Sequence, residues 1–171
     1  MVQLARAHGL QVLATASTQH KREFVRENGA HVVLDPAAPD LAAQVMAATQ
    51  GQGVELAIDP VGGSLFIACL HALAPLGMAV SYNVVGGMPA TDVFAELRAL
   101  LGRSLAVRAF SMHTFDADTV RRRALMQSAI DAMAAGEVHA PRSTVFPLSE
   151  ARQAHALLDA PDTVGKIILH P

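Results

Sequence analysis

The sequence predicts an α/β fold: a doubly wound parallel sheet. Three observations predict it. Short apolar runs alternate with helical patterns along residues 1–135, the spacing of strand–crossover–strand units. The run "LQVLATA" (10–16) is nearly continuous in apolar residues, as for a strand buried on both faces. Small or glycine-rich stretches follow the strand candidates at 16–21, 60–63 and 84–87, the ends where ligands of open α/β sheets bind.

In order, residues 1–8 read as a helix ending at Gly9, a good C-terminal glycine. After the strand 10–16, Ser17 or Thr18 caps a helix over 19–28, closed by Asn28-Gly29. "HVVLD" (31–35) is a strand, 39–51 a helix with Asp40 near its start, and "VELAID" (54–59) a strand. Gly62-Gly63 opens the helix "SLFIACLHALA", which Pro75 should end; "MAVSYNV" (78–84) is the next strand. A helix over 92–101, the strand "LAVRAF" (105–110) and a helix over 117–135 follow. In that last helix Met126, Ala129, Ile130, Met133 and Ala134 are spaced as one buried stripe. The tail reads as the strand "STVFPL", the helix "SEARQAHALLD" starting in a capping-box-like pattern, and the strand "GKIILH". Because the chain opens on a helix, a strand should precede it. In a doubly wound fold that strand is central and carries the phosphate loop. The expectation is a sheet lacking its first strand and glycine-rich loop.

Composition narrows the function classes. The 171 residues are about one domain, and with 51% hydrophobic residues they can build a real core. The formal charge of −2, with both signs interspersed, gives no sign of a nucleic-acid groove or a membrane surface. Arg121-Arg122-Arg123 reads as a solvated helix face, and the single Cys69 as a small core residue. "MVQLARAHGL" lacks the apolar segment of a signal peptide, and no run is long enough to span a bilayer. The eight histidines form no HxxxH pair, and nothing has metal-ligand spacing, so no metal is expected. A Ser-His-Asp triad lacks a nucleophile elbow. His71 and His155 read as structural or solvated, and Asp35 and Asp59 as strand-end residues that cap turns.

The loop 16–21 discriminates most. NAD enzymes place a carboxylate at the end of the second strand to accept from the ribose 2′-hydroxyl. Here that end reads Ala16-Ser17-Thr18, with no carboxylate to repel a 2′-phosphate, and Lys21 and Arg22 follow within reach. That is an NADP-type arrangement, with helix-surface cations as the plain alternative.

The segments "QLARAHGLQVLATAS", "ENGAHVVLD", "GQGVELAIDPVGG", "LAPLGMAV", "RSLAVRAFS" and "VFPLSEARQAHALLDAPDTVGKIIL" together resemble the medium-chain dehydrogenase/reductase superfamily, most of all its zinc-independent quinone oxidoreductase branch. The resemblance covers essentially every residue. It implies a barrel-like catalytic domain followed by a Rossmann domain, with the end of the chain returning to the catalytic domain. Residues 1–135 would then be a partial dinucleotide-binding domain and 136–171 the return segment, in a chain truncated at its N-terminus.

Carried over residue by residue, Ser17 and Lys21 match positions that grip the 2′-phosphate of NADPH. Pro36 departs from the aromatic ring or histidine of many relatives, which weakens the case for tight binding. Val61 and Gly62 match the loop near the ribose and nicotinamide, and Asn83, Val84, Val85 and Gly86 the loop beside the nicotinamide. Phe110-Ser111 and Gly165-Lys166 match segments that close around the cofactor. The implied reaction is hydride transfer from NADPH to a quinone or an α,β-unsaturated carbonyl, in a protein that at full length is a homodimer joined across the strand 105–110; the single cysteine fits a reducing cytoplasm. No catalytic residue is legible, and the stretch by itself is expected to be inactive. Two alternatives stand: an enoyl reductase domain of a polyketide synthase, which "DPVGG" fits less well, and a non-catalytic nucleotide-binding remnant.

Overall fold

The computed structural model describes residues 1–171. Its elements run α1 (Val2–Ala7), β1 (Leu13–Thr15), α2 (Gln19–Glu27), β2 (Val32–Leu34) and α3 (Leu41–Ala48). They continue with β3 (Val54–Asp59), α4 (Gly63–Ala72), β4 (Leu73–Ser81), α5 (Val93–Ala99) and β5 (Ala106–Ala109). The chain ends with α6 (Thr119–Ala134), β6 (Ser143–Pro147), α7 (Ala151–Asp159) and β7 (Lys166–His170). Two compact units form: Met1–Asp35 with Arg123–Pro171, and Pro36–Arg122.

In the first unit β1 pairs β2 in parallel, from Leu13 opposite Val32 to Thr15 opposite Leu34. There β6 also pairs β7 in parallel around the crossover helix α7, from Ser143 opposite Lys166 to Pro147 opposite His170. In the second unit β3, β4 and β5 form a parallel sheet in that order, with Asp59 opposite Ser81 and Ser81 opposite Ala109 at its carboxyl end. Every strand pair is parallel and the crossovers are helical, as the α/β reading requires.

The core of the second unit is Phe66, Leu70, Leu73 and Ala79, with Val54, Ala57, Ile67 and Leu97 packed on it. Leu70 and Ala79 are wholly buried, and full burial of a leucine stabilises by roughly 1.5–3 kcal/mol. This core fixes α4 on β3 and β4, and so sets the position of the loops at their carboxyl ends.

Local signals held at the helix starts. Thr18 caps α2 by accepting the Lys21 N–H, and Asp40 caps α3 by accepting that of Ala43. Four expectations are corrected. The strand 10–16 shrinks to Leu13–Thr15 and is not buried on both faces: Leu13 and Ala14 are half-buried and Thr15 is exposed, with β2 as its one hydrogen-bonded neighbour. Pro75 does not end α4: the helix passes straight into β4 at Leu73, and Pro75 lies within β4 beside a register shift against Val54 and Leu56. A bulge tolerates a residue with no N–H to give. The stripe on α6 is exposed, with Met126 at 59% and Ile130 at 55%. Helical spacing reports an apolar face, but burial also needs an element laid against it. The capping box before α7 does not form. A 3-10 turn over Leu148–Glu150 follows Pro147 and takes Ser149 inside it, leaving α7 without a side-chain cap.

Candidate functional site

At the carboxyl end of β3 and β4 two loops are joined backbone to backbone. Tyr82 N–H donates to Asp59 O at 3.2 Å, Val85 N–H to Pro60 O at 3.3 Å, and Gly86 N–H to Val61 O at 2.7 Å. In return Gly63 N–H donates to Gly87 O at 2.9 Å. Gly62 makes this approach possible. Its φ is +78°, and a Cβ there would overlap Gly87 O and press on Val84. The loop is anchored from below by Asp59, 2% exposed, whose carboxylate accepts the N–H of Val61 at 2.9 Å and of Gly62 at 2.7 Å. Asn83 orders the second loop by accepting the Val84 N–H at 2.9 Å. The end of β5 is tied to the same edge, since Phe110 N–H donates to Ser81 O at 2.8 Å. Ser111 Oγ then accepts the His113 N–H, and the Phe110 ring packs on Phe115 with centroids 6.3 Å apart. The structure therefore brings Val61, Gly62, Asn83, Val84, Val85, Gly86, Phe110 and Ser111 to one end of one sheet. Val61, Val85 and Phe110 are exposed there.

The first unit holds the other residues. Ser17 is exposed and Lys21 half-buried on the first turn of α2; Lys21 belongs to no ion pair. Arg22 is engaged: it pairs with Asp35 at 3.1 Å and donates to the carbonyls of Ala16 and Ser17, each at 3.4 Å. These bonds make Arg22 an organiser of the loop, a role that the sequence does not mark. The loop also has a carboxylate beside it after all, because Thr18 donates to Asp162. Lys166 opens β7, and no hydrogen bond ties it to Ser17 or Lys21. Sequence reasoning missed the roles of Arg22, Gly87 and Asp162. A repeated glycine was the available signal for Gly87, and nothing local marks a contact 144 residues away.

Elsewhere, Pro36, Asp40, Ser64, Leu65, Ala68 and His71 line an open cleft of about 330 Å³ between the start of α3 and α4. His71 Nε2 lies 2.9 Å from Glu96. Burial, with the Asp59 carboxylate adding to it, pushes the Cys69 thiol up to about 11, so it stays a protonated thiol at neutral pH. No helix is long and apolar enough to cross a membrane.

The family model described as zinc-binding dehydrogenase matches residues 1–136. A 2-haloacrylate reductase of a Burkholderia species is 30% identical over 174 residues, covering 100% of this chain and 51% of its own. A quinone oxidoreductase of Pseudomonas aeruginosa is 28% identical, covering 99% and 51%. A phthioceranic/hydroxyphthioceranic acid synthase of Mycobacterium bovis is 30% identical over 99% of this chain and 8% of the synthase. Among solved structures, a mycobacterial protein complexed with NADPH superimposes with a TM-score of 0.85 at 29% identity, over 99% of this chain and 52% of that one. The chain thus spans about half the length of the two reductases it matches. In this chain no three His, Cys, Asp or Glu side chains come together, so its residues do not fit the metal that the family's description implies. With a family model over most of its length, the chain belongs to the zinc-binding dehydrogenase family, and its relatives there include quinone oxidoreductases and a haloacrylate reductase.

Proposed function

We propose that this chain is the cofactor-holding part of an NADPH-dependent reductase of quinones or activated double bonds. The observation that carries the reading is the glycine-lined loop pair, Val61–Gly63 bonded to Val84–Gly87, at the carboxyl ends of adjacent parallel strands. Open α/β sheets bind ligands at that end. Bare backbone there admits a flat ring system that side chains would exclude. In the first unit Ser17 and Lys21 would hold a 2′-phosphate, with Lys166 a further cofactor contact; in the second, Val61, Gly62, Asn83, Val84, Val85 and Gly86 would hold a nicotinamide, with Phe110 and Ser111 flanking. NADPH, when bound, supplies a hydride. The chain's own part is to hold the cofactor's plane and keep water from it. The exposed Val61, Val85 and Phe110 suit that shielding.

In the same reading residues 1–135 are the dinucleotide-binding part and 136–171 a segment that serves the catalytic part. The protein is cytoplasmic, and β5, bonded to β4 alone, is the edge through which two copies join. A second reading, an enoyl reductase unit of a polyketide synthase, is favoured by the 30% identity to the mycobacterial synthase. Ketosynthase or carrier domains encoded beside this stretch would decide for it.

The test of cofactor choice is a fluorescence titration with NADPH and NADH. NADPH is expected to bind more tightly. Lys21→Ala should weaken NADPH roughly tenfold or more, the worth of a charge-assisted hydrogen bond, while leaving NADH unchanged. Equal loss for both cofactors rules out the phosphate role of Lys21.

A further inference from the structure

Two carboxylates stand beside the loop 16–21, and their circumstances differ. Asp35 is paired with the Arg22 guanidinium at 3.1 Å. Asp162 is exposed, accepts from the Thr18 hydroxyl, and belongs to no ion pair. Thr18 follows Ser17 directly, and its hydroxyl also accepts the Lys21 N–H at 3.2 Å. Asp162 is thus one hydrogen bond away from the residue that links Ser17 to the first turn of α2. Its placement is braced. Thr163, the next residue, donates from its hydroxyl to Leu157 O and from its N–H to Ala160 O. At the far end of α2, Arg142 pairs with Glu27 at 3.1 Å and lies over the Phe24 ring, 5.6 Å from its centroid. The tail is therefore fastened along the helix that carries Lys21.

A neutral hydroxyl leaves the charge of Asp162 uncompensated. In NAD-type sites a carboxylate at the end of the second strand accepts from the ribose 2′-hydroxyl, and the same charge repels a 2′-phosphate. The end of β1 carries no such residue in sequence. The fold supplies one from 144 residues further along.

We propose that Asp162 is a cofactor-selectivity residue: it opposes the 2′-phosphate at Ser17 and Lys21 and favours an unphosphorylated ribose. This rests on the reading of Ser17 and Lys21 as the phosphate contacts. A phosphate carries nearly two negative charges, so partly screened repulsion at a surface site amounts to on the order of tenfold in affinity. Asp162 holds the preference for NADPH below what Lys21 would otherwise give.

The experiment titrates NADPH, NADH and 2′,5′-ADP against the full chain and against Asp162→Asn, at low and at high salt. Asparagine keeps an acceptor for Thr18 and removes the charge. NADPH and 2′,5′-ADP are expected to tighten about tenfold, NADH not to tighten, and the gain to shrink at high salt. Asp162→Glu, which restores the charge, should return the original ratio and guards against a purely structural effect. If Asp162→Asn changes NADPH and NADH alike, or changes neither, the proposal is overturned while the Lys21 result stands. If the unmodified chain binds none of the three ligands, the cofactor reading and this proposal fall together.

Discussion

The two loop systems are built from different materials. The pair at 60–63 and 82–87 is backbone on backbone, drawn tight around Gly62 and anchored on one buried carboxylate. The loop at 16–21 is organised by side chains: Arg22 on Asp35 and two carbonyls, Thr18 on Asp162. A backbone-built loop gives shape and, at Gly62, leaves no room for an added Cβ. A loop organised by exposed side chains gives charge, can be retuned by single substitutions, and contributes little to stability.

Asp59→Ala should break the first system hardest. It leaves the Val61 and Gly62 N–H groups without their acceptor, at roughly 1–3 kcal/mol each when buried, so about 4 kcal/mol in denaturant melts. Gly62→Ala should follow at about 3 kcal/mol, from a left-handed backbone given a Cβ that meets Gly87 O. Arg22→Ala should cost only about 1 kcal/mol in the same melts, since the pair with Asp35 is partly solvated. Its signature is instead a severalfold loss of NADPH affinity as the Ala16–Ser17 carbonyls lose their donor. Should Arg22→Ala prove as costly as Asp59→Ala, the contrast between the two loops is wrong.

What the sequence disclosed was local. Val54–Asp59 was legible to the residue, because Gly53 and Pro60 bracket a β-prone run. Thr18 and Asp40 announced their helices for the same reason: a cap acts within three residues. The loops 60–63 and 84–87 were visible as glycine pairs, though the bonds that join them were not. What stayed hidden depends on partners remote in sequence. The pairing of Arg22 with Asp35 spans 13 residues and the contact of Thr18 with Asp162 spans 144, distances over which no local pattern acts. The face of α6 shows the reverse case: its periodicity marks an apolar stripe, and the stripe stays exposed. Pro75 misled because its missing N–H ends helices in general, while here the chain had already turned to strand two residues earlier.

That junction sets where this chain can change length. Helix α4 becomes β4 with no residue between Ala72 and Leu73, and the slack in β4 is already taken up in the register shift opposite Val54. Gly53 seals the spot: a Cβ on it would lie 2.7 Å from both Ala72 O and Ala74 N. An insertion here has nowhere to go but into Leu73 and the buried core. At the opposite rim, residues 88 and 90–92 are exposed and link β4 to α5 without regular structure. Lineages of this chain should therefore gain and lose residues at that rim and hold a fixed count at the other, and a tag or a permuted terminus belongs at the first.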